Sequence, residues 1–241
     1  MLLSVVTFLP DRVTGMPERP LRSTALRSCM RGSLPVILLV LFALAPLDAS
    51  SQRSCAPWPA VNGDGIGPFD YTDPAQANWL RNVNANHFDQ NVRALVKGQS
   101  AAHVSQDLHF VLHRFPNHHP ALDAMMRLAD KQQRQQPSGS PENVECYLYR
   151  ATVFAPNDPV SKTLYGIQLL KLRKHKEALV QLTAAHELRP DDRNIHYNLA
   201  LLYFDEKNYN KSKEHAKRAY ELGFPLPGLK KKLQSVNAWD G

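Results

Sequence analysis

The chain has 241 residues, 43% of them hydrophobic and 21% charged, with a formal net charge of +7. That suits one or two globular domains with a real core. The basic excess lies in residues 157–241, fifteen basic against ten acidic, and includes Lys230-Lys231-Lys232. It has no arginine-rich stripe interleaved with aromatics, so it reads as a solvated helix face and argues against nucleic acid as a partner.

Residues 1–29 hold scattered prolines and arginines with no helical period and read as an over-called or disordered extension, with Met16 or Met30 as the initiator. Residues 30–51 read as a signal peptide: Arg31, the apolar run Leu34–Leu47, then Ala49, Ser50 and Ser51. The run is shorter than the ~20 residues that span a bilayer. An uncleaved anchor in the inner membrane is the alternative, and the membrane is expected to matter only through this segment. Export, with the periplasm of a Gram-negative bacterium as the expected destination, would let Cys55 and Cys146 pair across 91 positions. Gln52 and Arg53 before Cys55 argue against lipidation.

Residues 52–99 read as an irregular arm with one short helix. "GDGIGPFDYTDP" is loop chemistry, but Trp58, Ile66, Phe69 and Tyr71 are too apolar for a free tail, so the arm should pack on the domain. Residues 76–86 are ambiguous. Asp89 suits the N-cap of the short helix, with Val92, Leu95 and Val96 as its apolar face and Gly98 beyond its end.

Residues 100–241 are strongly helical. Shifted by 34 residues, Gly166 meets Ala200, Ala178 meets Ser212, Ala185 meets Ala219, and Pro190 meets Phe224 beside Pro225. Pro156 precedes Pro190 by 34, and the loop "QQPSGSP" stretches the spacing from Pro116 to Pro156 to 40. This resembles the tetratricopeptide repeat. The fold expected is an all-α helix-turn-helix solenoid of about three repeats plus a half-repeat, closed by a capping helix in "PLPGLKKKLQSVNAW". Small residues at Gly166, Ala178, Ala185, Ala200 and Ala219 fit close helix crossings. "GPFDYTDP", "FPNHHPAL" and "LPGLKKKL" together resemble an uncharacterised family of bacterial exported tetratricopeptide-repeat proteins, which implies no activity.

The resemblance implies a partner groove along the first helix of each repeat. Its candidates are Asp123, Arg127, Asp130 and Lys131 at a charged end. Thr163, Ile167, Leu170, Tyr197, Asn198, Leu201 and Phe204 continue towards an apolar-aromatic end. A protein or peptide would bind there, unless the capping helix covers Tyr197 and Phe204. Thr163 and Ile167 replace residues of the carboxylate clamp that binds chaperone tails, and only Asn198 matches it.

The histidines offer another chemistry. His109 and His113 share a helix face, and His118 and His119 adjoin between Pro116 and Pro120. The bland reading is packing for the first pair and an interhelix turn for the second, with Asn117 capping the next helix. No hydrolase, phosphate-loop, dinucleotide or haem signature occurs, so neither an enzyme nor a cofactor is expected. The function expected is a scaffold or adaptor, with envelope assembly as its expected setting. A histidine-based metal-binding protein is the alternative, and a hydrolase comes last. An enzyme would need a polar, converging pocket around His118.

Overall fold

The computed structural model describes Cys55 and residues 66–240. The expected extension, the signal segment and Trp58 lie outside them. The described residues form ten α-helices and no strand: α1 Ala77–His87, α2 Gln90–Arg93, α3 Val104–Arg114, α4 His119–Gln132, α5 Val144–Phe154, α6 Pro159–Lys171, α7 His175–Leu188, α8 Arg193–Asp205, α9 Tyr209–Glu221 and α10 Gly228–Ser235. They pack as successive pairs, α1 with α3, α4 with α5, α6 with α7 and α8 with α9, each pair also touching the next. α10 lies on α8 and α9. Among the described residues, no helix is long and apolar enough to cross a membrane.

The pairs share one register. α4, α6 and α8 are capped by the side chains of His118, Asp158 and Asp192, which accept from backbone N–H groups of the first turn. Just past the ends of the same helices, Gln133, Arg173 and Lys207 each take the left-handed region. Non-glycine residues tolerate that conformation when the turn is well bonded. Here the amides of Arg134, Lys174 and Asn208 reach back to the carbonyls of Ala129, Leu169 and Tyr203. α3, α5 and α7 end in the extended residues Phe115, Ala155 and Arg189. Each is followed by a proline, which cannot continue a helix. The first interval is longer because residues 133–143 separate α4 from α5.

Gly166 explains the tightness of the α6–α7 pair. A Cβ built there would lie 2.7 Å from Leu182 Cγ, inside a fully buried side chain. Ala178, Ala185, Ala200 and Ala219 are equally inaccessible. One apolar core runs from Val83 to Leu202, and a second joins Tyr197, Ala200, Leu201, Ala216, Ala219 and Phe224 to Leu229 and Leu233 of α10.

The ambiguous stretch 76–86 is mostly α1. It is polar and buries only Val83, so packing rather than an apolar stripe holds it. Asp89 does cap α2, its side chain accepting from the Val92 amide. The apolar face is shorter than expected: α2 stops at Arg93, Leu95 turns left-handed, and Val96 is 69% exposed.

Candidate functional site

At the charged end of the expected groove, Asp123 and Arg127 stand one turn apart on α4 and pair at 2.8 Å. Arg127 Nη2 also donates to the Arg93 carbonyl at 3.2 Å, and Lys131 Nζ donates to the Leu95 carbonyl at 2.9 Å. These carbonyls lie at the end of α2 and in the turn just after it, where cations are favoured. Arg127 and Lys131 therefore hold the protein's own short helix. Asp130 pairs with Lys171 of α6 at 2.6 Å and keeps about half of its side chain in solvent.

The apolar end is not an open groove. Thr163, Ile167, Leu170, Tyr197, Asn198 and Leu201 are all buried, and Phe204 is half-buried. Thr163 Oγ1 donates to the Pro159 carbonyl and Asn198 Nδ2 to the Asn194 carbonyl, so both serve their own helices. Tyr197 stacks on Phe224 with centroids 3.9 Å apart, and its hydroxyl accepts from the Leu229 amide. Leu229 and Leu233 of α10 are fully buried beside it, and Lys232 lies over the Phe204 ring. The capping helix covers the Tyr197, Leu201 and Phe204 end of the surface that the repeat pattern offered to a partner.

The turn between α3 and α4 is a three-way seam. His118 caps α4, its Nδ1 accepting from the Ala121 amide at 3.1 Å. Nε2 therefore carries the proton, which it donates to Asn84 Oδ1 of α1 at 3.1 Å. Burial, reinforced by His119, pushes His118 down to about 3, so the ring is neutral. Tyr71 and Phe88 pack on it with centroids 4.5 Å and 5.0 Å away. Asn117 does not take the expected capping role. Its Oδ1 accepts from the Tyr71 amide and its Nδ2 donates to Asp70, so it binds the arm. The arm is further held by the Phe69 amide on the Arg114 carbonyl at 2.7 Å. The arm also packs on the domain through a Cys55–Cys146 bond, with Cα atoms 5.3 Å apart, which staples it to α5.

His119 points the other way. Its Nε2 donates to Asp158 Oδ2 at 2.6 Å, linking α4 to the cap of α6. Burial raises Asp158, but bonds from His119, Ser161 and the Val160 amide outweigh it and hold the carboxyl below its ordinary value. Asp70 shows the same balance, with Asn117 and Thr72 outweighing burial. A cleft of about 390 Å³ opens here, lined by Asp70, Thr72, His119, Asp158 and Arg189. It is polar, and a histidine–aspartate pair sits in it. The neighbouring hydroxyls donate to carboxylates and not to that imidazole: Thr72 to Asp70, and Ser161 to the same Asp158 Oδ2 that His119 bonds.

The four singled-out histidines do not share a centre. His109 Nδ1 bonds the Tyr147 hydroxyl of α5 at 2.8 Å, with His113 beside it. Burial, then His113, pushes His109 down. Burial pushes Tyr147 up to about 12. His118 has both nitrogens engaged, and His119 is committed to Asp158. Among the described residues, no group of three or more His, Cys, Asp or Glu side chains is placed so that it could hold a metal ion.

Three other histidines do meet. His186 of α7, His196 of α8 and His215 of α9 have ring centroids 4.8, 5.2 and 5.9 Å apart. They share no short motif, so spacing along the chain hides them. Their flanks were informative: His186 follows Ala185 and His215 precedes Ala216, both at close helix crossings.

No protein-family model matches the sequence, and no curated protein is similar to it.

Proposed function

We propose that this protein is an exported tetratricopeptide-type scaffold that binds a protein or peptide partner. The observation that carries the architecture is the shared register: Asp158 and Asp192 cap, Arg173 and Lys207 turn left-handed, and Ala155 and Arg189 precede prolines, all 34 residues apart. A solenoid of such pairs commonly serves as a binding surface. The Cys55–Cys146 bond suits an oxidising compartment and so supports export.

Burial redraws the docking face. α10 covers Tyr197, Leu201 and Phe204, and Thr163, Ile167 and Leu170 are buried within the helix pairs. The accessible remainder is the charged strip with Asp130, Lys131 and Lys171. The partner surface that fits it is polar and of mixed charge, and the complex should weaken with salt. Cross-linked capture from envelope extract, comparing wild type with Asp130→Lys, tests this. A partner retained by wild type and lost from the equally folded variant supports the reading. A partner set indifferent to the charge reversal and to salt removes this face from consideration.

A further inference from the structure

We propose that His186, His196 and His215 form an acid-sensitive latch: while neutral they hold α8, α9 and α10 against the α6–α7 pair, and their protonation releases those three helices. None of the three belongs to the charged partner strip, and the latch stands apart from it.

Three helices supply one ring each. Two of the three ring contacts cross the joint: His186 of α7 faces His196 of α8 with centroids 4.8 Å apart, and His215 of α9 at 5.9 Å. The third, at 5.2 Å, lies within the α8–α9 pair. The helices beyond the joint can part together because they own a core. Tyr197, Ala200 and Leu201 of α8 pack there with Ala216 and Ala219 of α9, Phe224, and Leu229 and Leu233 of α10. Leu182 of α7 and Ile195 of α8 belong to the larger core, so α8 is the border between the two.

The hydrogen bonds at the joint need neutral rings. His196 Nε2 lies 2.8 Å from the Pro190 carbonyl, which only accepts, so Nε2 carries the proton and Nδ1 keeps its lone pair. His196 Nδ1 lies 2.9 Å from His215 Nδ1, so His215 donates there. A second proton on His196 sets N–H against N–H, and the bond is lost. His186 Nδ1 is buried without a hydrogen-bond partner, so it adds no bond that would outlast charging of the other two.

The surrounding charges do not replace what is lost. α7 contributes His186 alone to the cleft of about 480 Å³ onto which the rings open, and neither α6 nor α10 lines it. In the α7–α8 turn, Asp191 is held by Arg218, which also holds Glu221 of α9. Lys217 is held by Asp240. Glu214 favours a charged His215, Lys211 opposes it, and Tyr203 of α8 stacks on that ring. Burial outweighs them all. It keeps His196 below its ordinary value despite the Pro190 carbonyl, and with His196 and His186 it pushes His215 down to about 4.

Once parted, His215 returns to the ordinary 6.5. The open form then takes up its proton below pH 6.5 and the closed form only near pH 4, so acid favours opening between those values. From pH 7.5 to 5.0, His215 alone raises the opening constant about 30-fold. His196 acts in the same direction.

The test is hydrogen exchange of the full chain at pH 7.5 and 5.0, read by mass spectrometry and corrected for intrinsic rates. Parted from the α6–α7 pair, α8 to α10 is a piece of roughly 50 residues, too small to keep its helices firm, so its amides report the opening. Protection across residues 193–235 should fall by about 30-fold or more beyond any fall in α6 and α7. His215→Gln keeps a donor towards His196 and takes no charge, and it should remove about 30-fold of that excess. Side-chain ¹H–¹⁵N spectra of wild type give a readout independent of any variant: the His215 ring should titrate near pH 4. An equal fall across all helices, no fall at all, the same excess in His215→Gln, or a His215 ring already charged at pH 6 overturns the proposal.

Discussion

His118 gives the most direct access to the seam. It is neutral in the folded protein because burial pushes it to about 3, against 6.5 for a free imidazole. The unfolded chain takes up the proton below pH 6.5 and the folded chain only near pH 3. Acidification between those values therefore drains stability. At pH 5.0 the unfolded ring lies 1.5 units below its pKa, and at about 1.36 kcal/mol per unit the loss from this one group is about 2 kcal/mol relative to pH 7.5. That figure depends on the unfolded value alone, provided the folded pKa stays well below 5. His118→Asn keeps a capping oxygen and removes the titration. It loses the Tyr71 and Phe88 contacts, so the variant is less stable at pH 7.5. Urea unfolding followed by circular dichroism at both pH values should show the gap between the proteins shrinking by about 2 kcal/mol at pH 5.0. His196, His215 and the carboxylates titrate in both proteins and cancel in the comparison. Parallel pH dependences would refute the assignment of a buried neutral His118.

Reducing the Cys55–Cys146 bond should cost about 2–5 kcal/mol, because the loop it closes is long; an unchanged urea midpoint in the fully reduced chain contradicts this. Gly166→Ala should destabilise by about 1 kcal/mol, since overpacking against Leu182 costs about 1–3 kcal/mol and better helix propensity returns about 1; a raised melting temperature refutes the close crossing. Tyr197→Ala should release α10 and speed tryptic cleavage at Lys230–Lys232, whereas Tyr197→Phe keeps the stack on Phe224 and loses only about 1 kcal/mol with the bond from Leu229. Equal cleavage of wild type and Tyr197→Ala would show that α10 is held by something else.

The periodic part of the fold was legible because its causes are local. Prolines at 156 and 190 stop helices, and small residues at 166, 178 and 185 mark crossings, wherever the rest of the chain lies. The seam was only half legible. Asn117 and His118 are both good capping types, and the choice between them was made by Asp70 and Tyr71, which arrive from 46 or 47 residues away. Helix α1 is ambiguous in the sequence because Asn78, Asn82, Asn84 and Asn86 give it no apolar stripe; it presents Val83 to the core and Asn84 to His118. The groove was overread for the opposite reason. Tyr197, Leu201 and Phe204 do form an apolar face, but a face says nothing of what covers it, and α10 of the same chain does. The histidine triangle escaped notice because its members belong to three helices and share no motif.

The bond from Cys55 to Cys146 has a mechanical meaning. Tension applied upstream of Cys55 passes straight into α5, and the 91-residue span between the two cysteines is left out of the load path. Fully extended, that span would be about 300 Å of contour. The bond therefore works as a strain relief: the arm, α1 to α4 and the histidine seam are shielded from a pull that the later helix pairs must bear. Under an oxidised pull the chain should lengthen by the remainder of its contour only, and the missing length should appear once a reductant is added.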